Sequence, residues 1–239
     1  MEIIPAIIPK TFEDLEEKMS NVRGLVPLAQ VDVEDGSLTP IRAWPYQSPT
    51  KRDSFFDSII REVQGFPFWE NVEFEAHLMV REPERIISDW LAAGASRIIV
   101  QIEGVKHFEQ TTLAVAGRVP LGAALALDTP NQVLEPIAKD ISIIQCMGWE
   151  LSHLGRQGEP LDARVFDKIK ALRQEFPEHI ISIDGGVTLE NAPKLQDAGA
   201  NRLVVGSALW ANGALRENLA KFKNIQNVGH RKSDNLARL

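Results

Sequence analysis

The sequence predicts a single (β/α)8 barrel, and three observations carry the prediction. Short apolar, β-branched runs alternate along the chain with amphipathic, charge-rich segments, the pattern of repeated βα units around a parallel sheet. Two late runs, Ile181-Ser182-Ile183-Asp184 and Leu203-Val204-Val205, stop abruptly at small residues, Gly185-Gly186 and Gly206-Ser207. Successive strand ends of this kind expose backbone N–H groups, as an anion site built from the last two βα loops of a barrel requires. The length, 239 residues, suits one such barrel.

Taken in order, strands are expected near 2–8, 25–33, 72–80, 97–103, 120–127, 142–149, 180–185 and 202–206. Helices are expected between and after them, near 11–21, 52–64, 82–94, 107–117, 131–138, 162–176, 189–198 and 213–223. Punctuation supports several of these. Thr11 stands three residues before Asp14 and Thr188 just before Glu190, as N-terminal caps do, while Gly94 and Gly199 close helices. Two connections break the rhythm: the Pro- and Ser-rich stretch 36–50, which holds Trp44 and Tyr46, and 150–161, which holds Gly155, Gly158 and Pro160. Both follow strands and so belong to the catalytic face of a barrel, where long loops carry function. The barrel is assigned to 1–225 and a polar tail to 226–239, frayed or partner-docking from His230 to Leu239.

A net charge of −7 argues against nucleic acid or an anionic membrane as the main partner. No run approaches the roughly eighteen apolar residues of a membrane span, and Met1-Glu2-Ile3-Ile4-Pro5 lacks the basic start of a signal peptide. One cysteine, Cys146, excludes an internal disulfide and fits a reducing cytoplasm; inside an apolar run it reads as a buried structural thiol. Trp44, Tyr46, Phe66, Phe68 and Trp69 are expected at the surface, as the interface of a homo-oligomer.

Candidate chemistry sits at strand ends. In Gln30-Val31-Asp32-Val33-Glu34, period-two alternation puts Gln30, Asp32 and Glu34 on one face, toward the barrel mouth; the bland reading of Asp32 and Glu34 is the start of a solvated loop. His77, amid apolar residues near the end of the third strand, reads alone as a core histidine. Together with Asp32 and Asp184 it completes an O/N/O set suited to Zn2+, Mn2+ or Fe2+. Gly185-Gly186 and Gly206-Ser207 read either as a phosphate cradle or as plain tight turns.

In order and spacing, four stretches resemble the landmarks of the ribulose-phosphate 3-epimerase family, over roughly residues 2–212: Gln30 to Gly36, His77-Leu78-Met79, Asp184-Gly185-Gly186-Val187 and Gly206-Ser207. The resemblance implies a phosphate-binding (β/α)8 barrel that inverts C3 of a ketose phosphate, ribulose 5-phosphate or a close analogue. Asp32 and Asp184 would be the acid/base pair and also metal ligands, His77 a third ligand, and the metal would polarise the C2 carbonyl and hold the enediolate. Gly185, Gly186, Gly206 and Ser207 would hold the phosphate, with Met79 and Met147 beside the intermediate.

The chain also departs from the family pattern, and the departures cluster at the site. The family's first metal histidine is Gln30, which would serve as a weaker ligand through its amide oxygen, and the methionine before Asp35 is Glu34, an added carboxylate that shifts preference toward Mg2+ or Mn2+. Ala6 stands for a serine, Gln101 for a histidine and Ala126-Leu127 for Asn-Pro. The closing loop reads Ser152 to Gly158, where His153 and Arg156 are candidates for sugar or phosphate contacts. Two alternatives stay open: a non-catalytic sugar-phosphate-binding barrel, and an enediolate-forming aldolase or decarboxylase of the hexulose-phosphate synthase type, whose early-strand lysine this chain lacks.

Overall fold

Each predicted apolar run forms a strand of one closed parallel barrel in a computed structural model of the chain. The structure describes residues 1–236, with side chains described to Ile225. The barrel strands are β1 (Glu2–Ile7), β2 (Leu28–Val33), β5 (Glu73–Leu78), β6 (Arg97–Gln101), β7 (Leu121–Leu125), β8 (Ile143–Met147), β9 (Ile180–Asp184) and β10 (Arg202–Val205). They close in the order β1-β10-β9-β8-β7-β6-β5-β2. A short hairpin, β3 (Tyr46–Ser48) and β4 (Lys51–Arg52), lies in the long connection after β2.

Both faces of a barrel strand are buried, so the sequence shows continuous apolar runs rather than strict alternation. Side-chain chemistry still alternates. Val31, Val33, Val100, Ile144, Cys146, Ile181, Ile183 and Leu203 join the apolar layer shared with the helices. Their neighbours Gln30, Asp32, Glu75, His77, Gln101, Gln145, Ser182, Asp184 and Arg202 are also buried, but belong to a polar interior. Register then decides what meets at the mouth: Asp32 pairs with His77 across β2 and β5, and Met147 with Asp184 across β8 and β9. Cys146 is fully buried, and burial pushes its thiol up to about 12, which leaves no thiolate nucleophile.

The floor of the barrel is an ion pair. Arg202 Nη2 donates to Glu75 Oε1 at 2.6 Å, both side chains essentially inaccessible, while Arg97 and Glu2 lie at the periphery. Removing one partner strands the other charge in a low-dielectric interior. Arg202→Met is therefore expected to destabilise the protein by about 3–5 kcal/mol, and adding Glu75→Leu to recover most of it. Urea midpoints check this; a small effect of Arg202→Met would place the pair in solvent-like surroundings.

The outer ring comprises α1 (Phe12–Val22), α2 (Ser54–Ile60), α3 (Ile87–Ala92), α4 (Phe108–Val115), α5 (Val165–Glu175), α6 (Ala192–Ala198), α7 (Ser207–Trp210) and α8 (Leu215–Leu236). The Thr11 hydroxyl accepts from Asp14 N–H and starts α1, which buries Leu15, Met19 and Val22. Thr188 caps through Asn191 rather than Glu190: each side chain accepts from the other's backbone N–H. Among the described residues no helix is long and apolar enough to cross a membrane. The tail read at 230–239 coincides in part with the end of α8, and 237–239 lie outside the described residues.

Three expectations are corrected. Segment 131–138 is not α-helical but part of a 3-10 stretch, Asn131–Asp140, because Pro136 lacks an N–H and its ring opposes the α-helical carbonyl four residues back. The helix expected at 82–94 is a 3-10 turn, Pro83–Arg85, followed by α3. The aromatics expected at the surface are mostly interior. Trp44, Tyr46 and Phe66 are buried, Phe68 is half-buried against the core, and only Trp69 of the five is exposed. The loop folds back: the Trp44 ring lies 5.6 Å from Phe12 and 5.5 Å from Phe56, and its indole N–H donates to Asp53, the cap of α2.

Candidate active site

Strand register brings one side chain each from β5 and β9, and two from β2, into contact at the C-terminal end of the barrel. The Gln30 amide nitrogen donates to Asp32 Oδ1 and to Asp184 Oδ2, each at 2.7 Å. His77 Nδ1 lies 3.4 Å from Asp32 Oδ1 and 3.5 Å from Asp184 Oδ2. Gln145 Nε2 donates to Asp184 Oδ2 at 3.0 Å and its Oε1 accepts from the Ser182 hydroxyl. On the far side of the ring, His77 Nε2 lies 3.0 Å from Gln101 Oε1.

Two buried carboxylates this close repel, and the surrounding groups offset that. Burial pushes Asp32 up, to about 6, against the downward pull of His77. Burial alone would lower His77, but Asp184 and Asp32 more than offset it and hold its pKa at about 10. The imidazolium is thus a countercharge lodged between two carboxylates, in a place that a divalent cation could take by displacing the Nδ1 proton.

The donor set fits such a cation. Asp32, His77 and Asp184 each offer one ligand atom, and these lie within 4.8 Å of one another. Four-coordinate ions with bonds of about 2.1 Å keep their ligand atoms about 3.4 Å apart, close to the two His77 separations. Gln30 Oε1, the one atom of that side chain able to ligate, is buried without a hydrogen-bond partner.

Above this cluster lies a cavity of about 160 Å³. Asp32 and Asp184 form part of its wall, Met79 and Met147 its apolar side, and Gly185, Gly186, Gly206 and Ser207 one rim. Gly185 must be glycine: its φ is +106°, and a Cβ would meet the Trp149 ring at 2.7 Å. The 150–161 loop closes over the mouth through Leu154, buried against Met147, Ile99 and Ala124, while Gly155 and Arg156 face the cavity.

Gln30, Asp32, His77 and Asp184 are therefore brought together, and Met79, Met147, Gly185, Gly186, Gly206, Ser207 and Arg156 share one cavity with the two aspartates. Two candidates stand apart. His153, on the turn Leu151–His153, does not line the cavity. Glu34 is fully buried, outside the ligand cluster, and neither carboxylate oxygen has a partner; a Cβ on Gly155 would fall 1.8 Å from its Oε1. Burial pushes this carboxyl up to about 8, with Asp32 adding to the shift.

Sequence reasoning missed Gln145, Lys18, Trp149 and Trp210. Gln145 was signalled by a polar residue at the inward phase of Ile143-Ile144-Gln145-Cys146-Met147. Lys18 lines the cavity from α1, its ammonium donating to Ile8 O and Asp14, each at 2.9 Å; no local signal marks it.

A profile described as the ribulose-phosphate 3 epimerase family matches residues 2–210. A Bacillus subtilis (strain 168) protein named ribulose-phosphate 3-epimerase is 28% identical over 231 residues, covering 93% of this chain and 98% of that protein. A Schizosaccharomyces pombe protein of the same name is 26% identical over 226 residues, covering 93% and 92%. Among solved structures, 3-hexulose-6-phosphate synthase from Salmonella typhimurium aligns with a TM-score of 0.66 at 12% identity, over 94% of this chain and 98% of that one; this likeness is one of fold.

Proposed function

The chain belongs to the ribulose-phosphate 3-epimerase family, and from that premise we propose that it inverts C3 of ribulose 5-phosphate, xylulose 5-phosphate or a close ketose phosphate. The observation that carries this reading is the pair of carboxylates, Asp32 and Asp184, held by one Gln30 amide in the wall of a cavity with a glycine-rich rim. Inversion by proton transfer needs a base on one face of the reacting carbon and an acid on the other. One aspartate removes the C3 proton, and the other returns a proton to the opposite face of the planar intermediate.

Gln30 and Gln145 keep the carboxylates in place by donating to them, and His77 neutralises part of their charge. Asp32, His77 and Asp184 would hold a divalent metal, with the Gln30 oxygen a fourth ligand once that amide turns its NH2 away from the aspartates. When bound, it supplies Lewis-acid stabilisation of charge developing on the substrate oxygens. With an amide in the fourth place the set is harder than one with two imidazoles, which favours Mn2+, Fe2+ or Mg2+ over Zn2+.

Gly185, Gly186, Gly206 and Ser207 bind the phosphate through backbone N–H groups and the Ser207 hydroxyl, with Lys18 and Arg156 as the nearby cations. Met79, Met147 and Leu154 exclude water from the intermediate. Incubation of ribulose 5-phosphate with the protein and Mn2+ is expected to yield xylulose 5-phosphate, separated by chromatography. Chelator treatment should abolish the conversion and added Mn2+ restore it. Conversion that survives complete metal removal would take the metal out of this reading.

A further inference from the structure

We propose that Glu103, which touches neither the cavity nor the His77 ring, is a positioning residue that holds a proton on Nε2 of His77, the nitrogen turned away from the two aspartates. It lies in the turn Ile102–Gly104, directly after β6. Its Oε1 accepts from the Ala126 N–H at 2.7 Å and from the Thr129 hydroxyl, and its Oε2 accepts from Gln101 Nε2 at 2.6 Å. A carboxylate can only accept, so it dictates the polarity of its neighbour. The Gln101 amide must turn its NH2 toward Glu103 and its oxygen toward His77, 3.0 Å from Nε2. That oxygen also only accepts. His77 must therefore carry a proton on Nε2, and Nδ1 is the nitrogen presented to Asp32 and Asp184.

The relay runs Ala126 and Thr129 to Glu103, to Gln101, to His77, and every link has a forced direction. Isosteric Glu103→Gln reverses it. The new side chain keeps its oxygen for the Ala126 N–H and turns its NH2 toward Gln101, where two NH2 groups would face each other. Gln101 relieves this by turning over, which presents its NH2 to His77 Nε2. Nε2 then releases its proton, and the ring keeps only the one on Nδ1, the side that faces the carboxylates. The consequence for a metal rests on the reading above, in which Nδ1 is a ligand; the consequence for the proton does not.

The test uses the full-length metal-free protein labelled with 15N-histidine, with His77 resonances assigned by comparison with His77→Asn. Wild type is expected to show both ring nitrogens protonated, and Glu103→Gln an unprotonated Nε2 with the proton on Nδ1 kept. Adding Gln101→Glu to Glu103→Gln restores an acceptor beside Nε2 and should return the wild-type spectrum, a rescue that a merely structural role for Glu103 would not give. A Glu103→Gln spectrum in which Nε2 stays protonated would overturn the proposal, as would a double variant that fails to recover. Zn2+ titration then reads the second consequence: affinity about tenfold weaker in Glu103→Gln and restored in the double variant. If the wild type binds no Zn2+, the metal reading fails while the metal-free spectra still decide the relay.

Discussion

Asp184→Asn is expected to lower exchange of the C3 proton by about a thousandfold or more while leaving the fold intact. The asymmetry follows from where the side chain sits. Asp184 closes β9 at the mouth, and its contacts there are donors: the amides of Gln30 and Gln145 both reach the same oxygen, Oδ2. An asparagine with its oxygen in that position keeps both hydrogen bonds, and the apolar layer beneath loses nothing. What disappears is the capacity to take or give a proton at that face. The loss should appear in turnover, with the urea midpoint close to wild type. Exchange retained in Asp184→Asn would remove this residue from the chemistry.

Gln30→His is expected to raise Zn2+ affinity on the order of tenfold to a hundredfold. Gln30 is fully buried on β2, in register with Ala6 of β1 and Glu75 of β5, so its side chain has little freedom to leave the cluster. Its Nε2 satisfies the two aspartates and its Oε1 satisfies nothing. An imidazole there trades a neutral amide for a stronger nitrogen donor to Zn2+ and gives up the two hydrogen bonds that bridge the aspartates. Competition against a chelator of known affinity reads the difference. An unchanged affinity would mean that residue 30 does not reach the ion.

The strands were legible because a parallel barrel buries both strand faces, and β-branched runs such as Ile98-Ile99-Val100 and Leu203-Val204-Val205 can satisfy that demand in few other ways. Asp32 and Asp184 were legible for the same reason, as lone carboxylates at the ends of such runs. Gln145 was equally visible by alternation. Its amide carries no charge and suggests no reaction, so its service to Asp184 emerges only from distance.

The loops were less legible, since tertiary packing rather than local pattern sets them. In the closing segment the residue that matters for placement is Leu154, which anchors on Met147, and this turns Arg156 toward the cavity and leaves His153 outside it. In the long connection after β2, Trp44 and Tyr46 looked like a surface patch because nothing nearby in sequence covers them. Phe12 of α1 and Phe56 of α2 pack on Trp44, and Tyr46 is buried with it. Glu34 is the clearest conflict between local chemistry and burial. Its carboxylate lies under Gly155 without a partner, in a place where a sequence reading expected solvent or a metal.

The central claim, that Asp32 and Asp184 pass a proton across C3 of a ketose phosphate, is tested most directly by proton NMR of ribulose 5-phosphate in D2O with the Mn2+-reconstituted protein, after removal of the paramagnetic ion. The account predicts loss of the C3 proton signal, deuterium at C3 and formation of xylulose 5-phosphate without carbon–carbon cleavage. A C3 proton that persists unexchanged, with Mn2+, Zn2+, Fe2+ or Mg2+ alike, would contradict it.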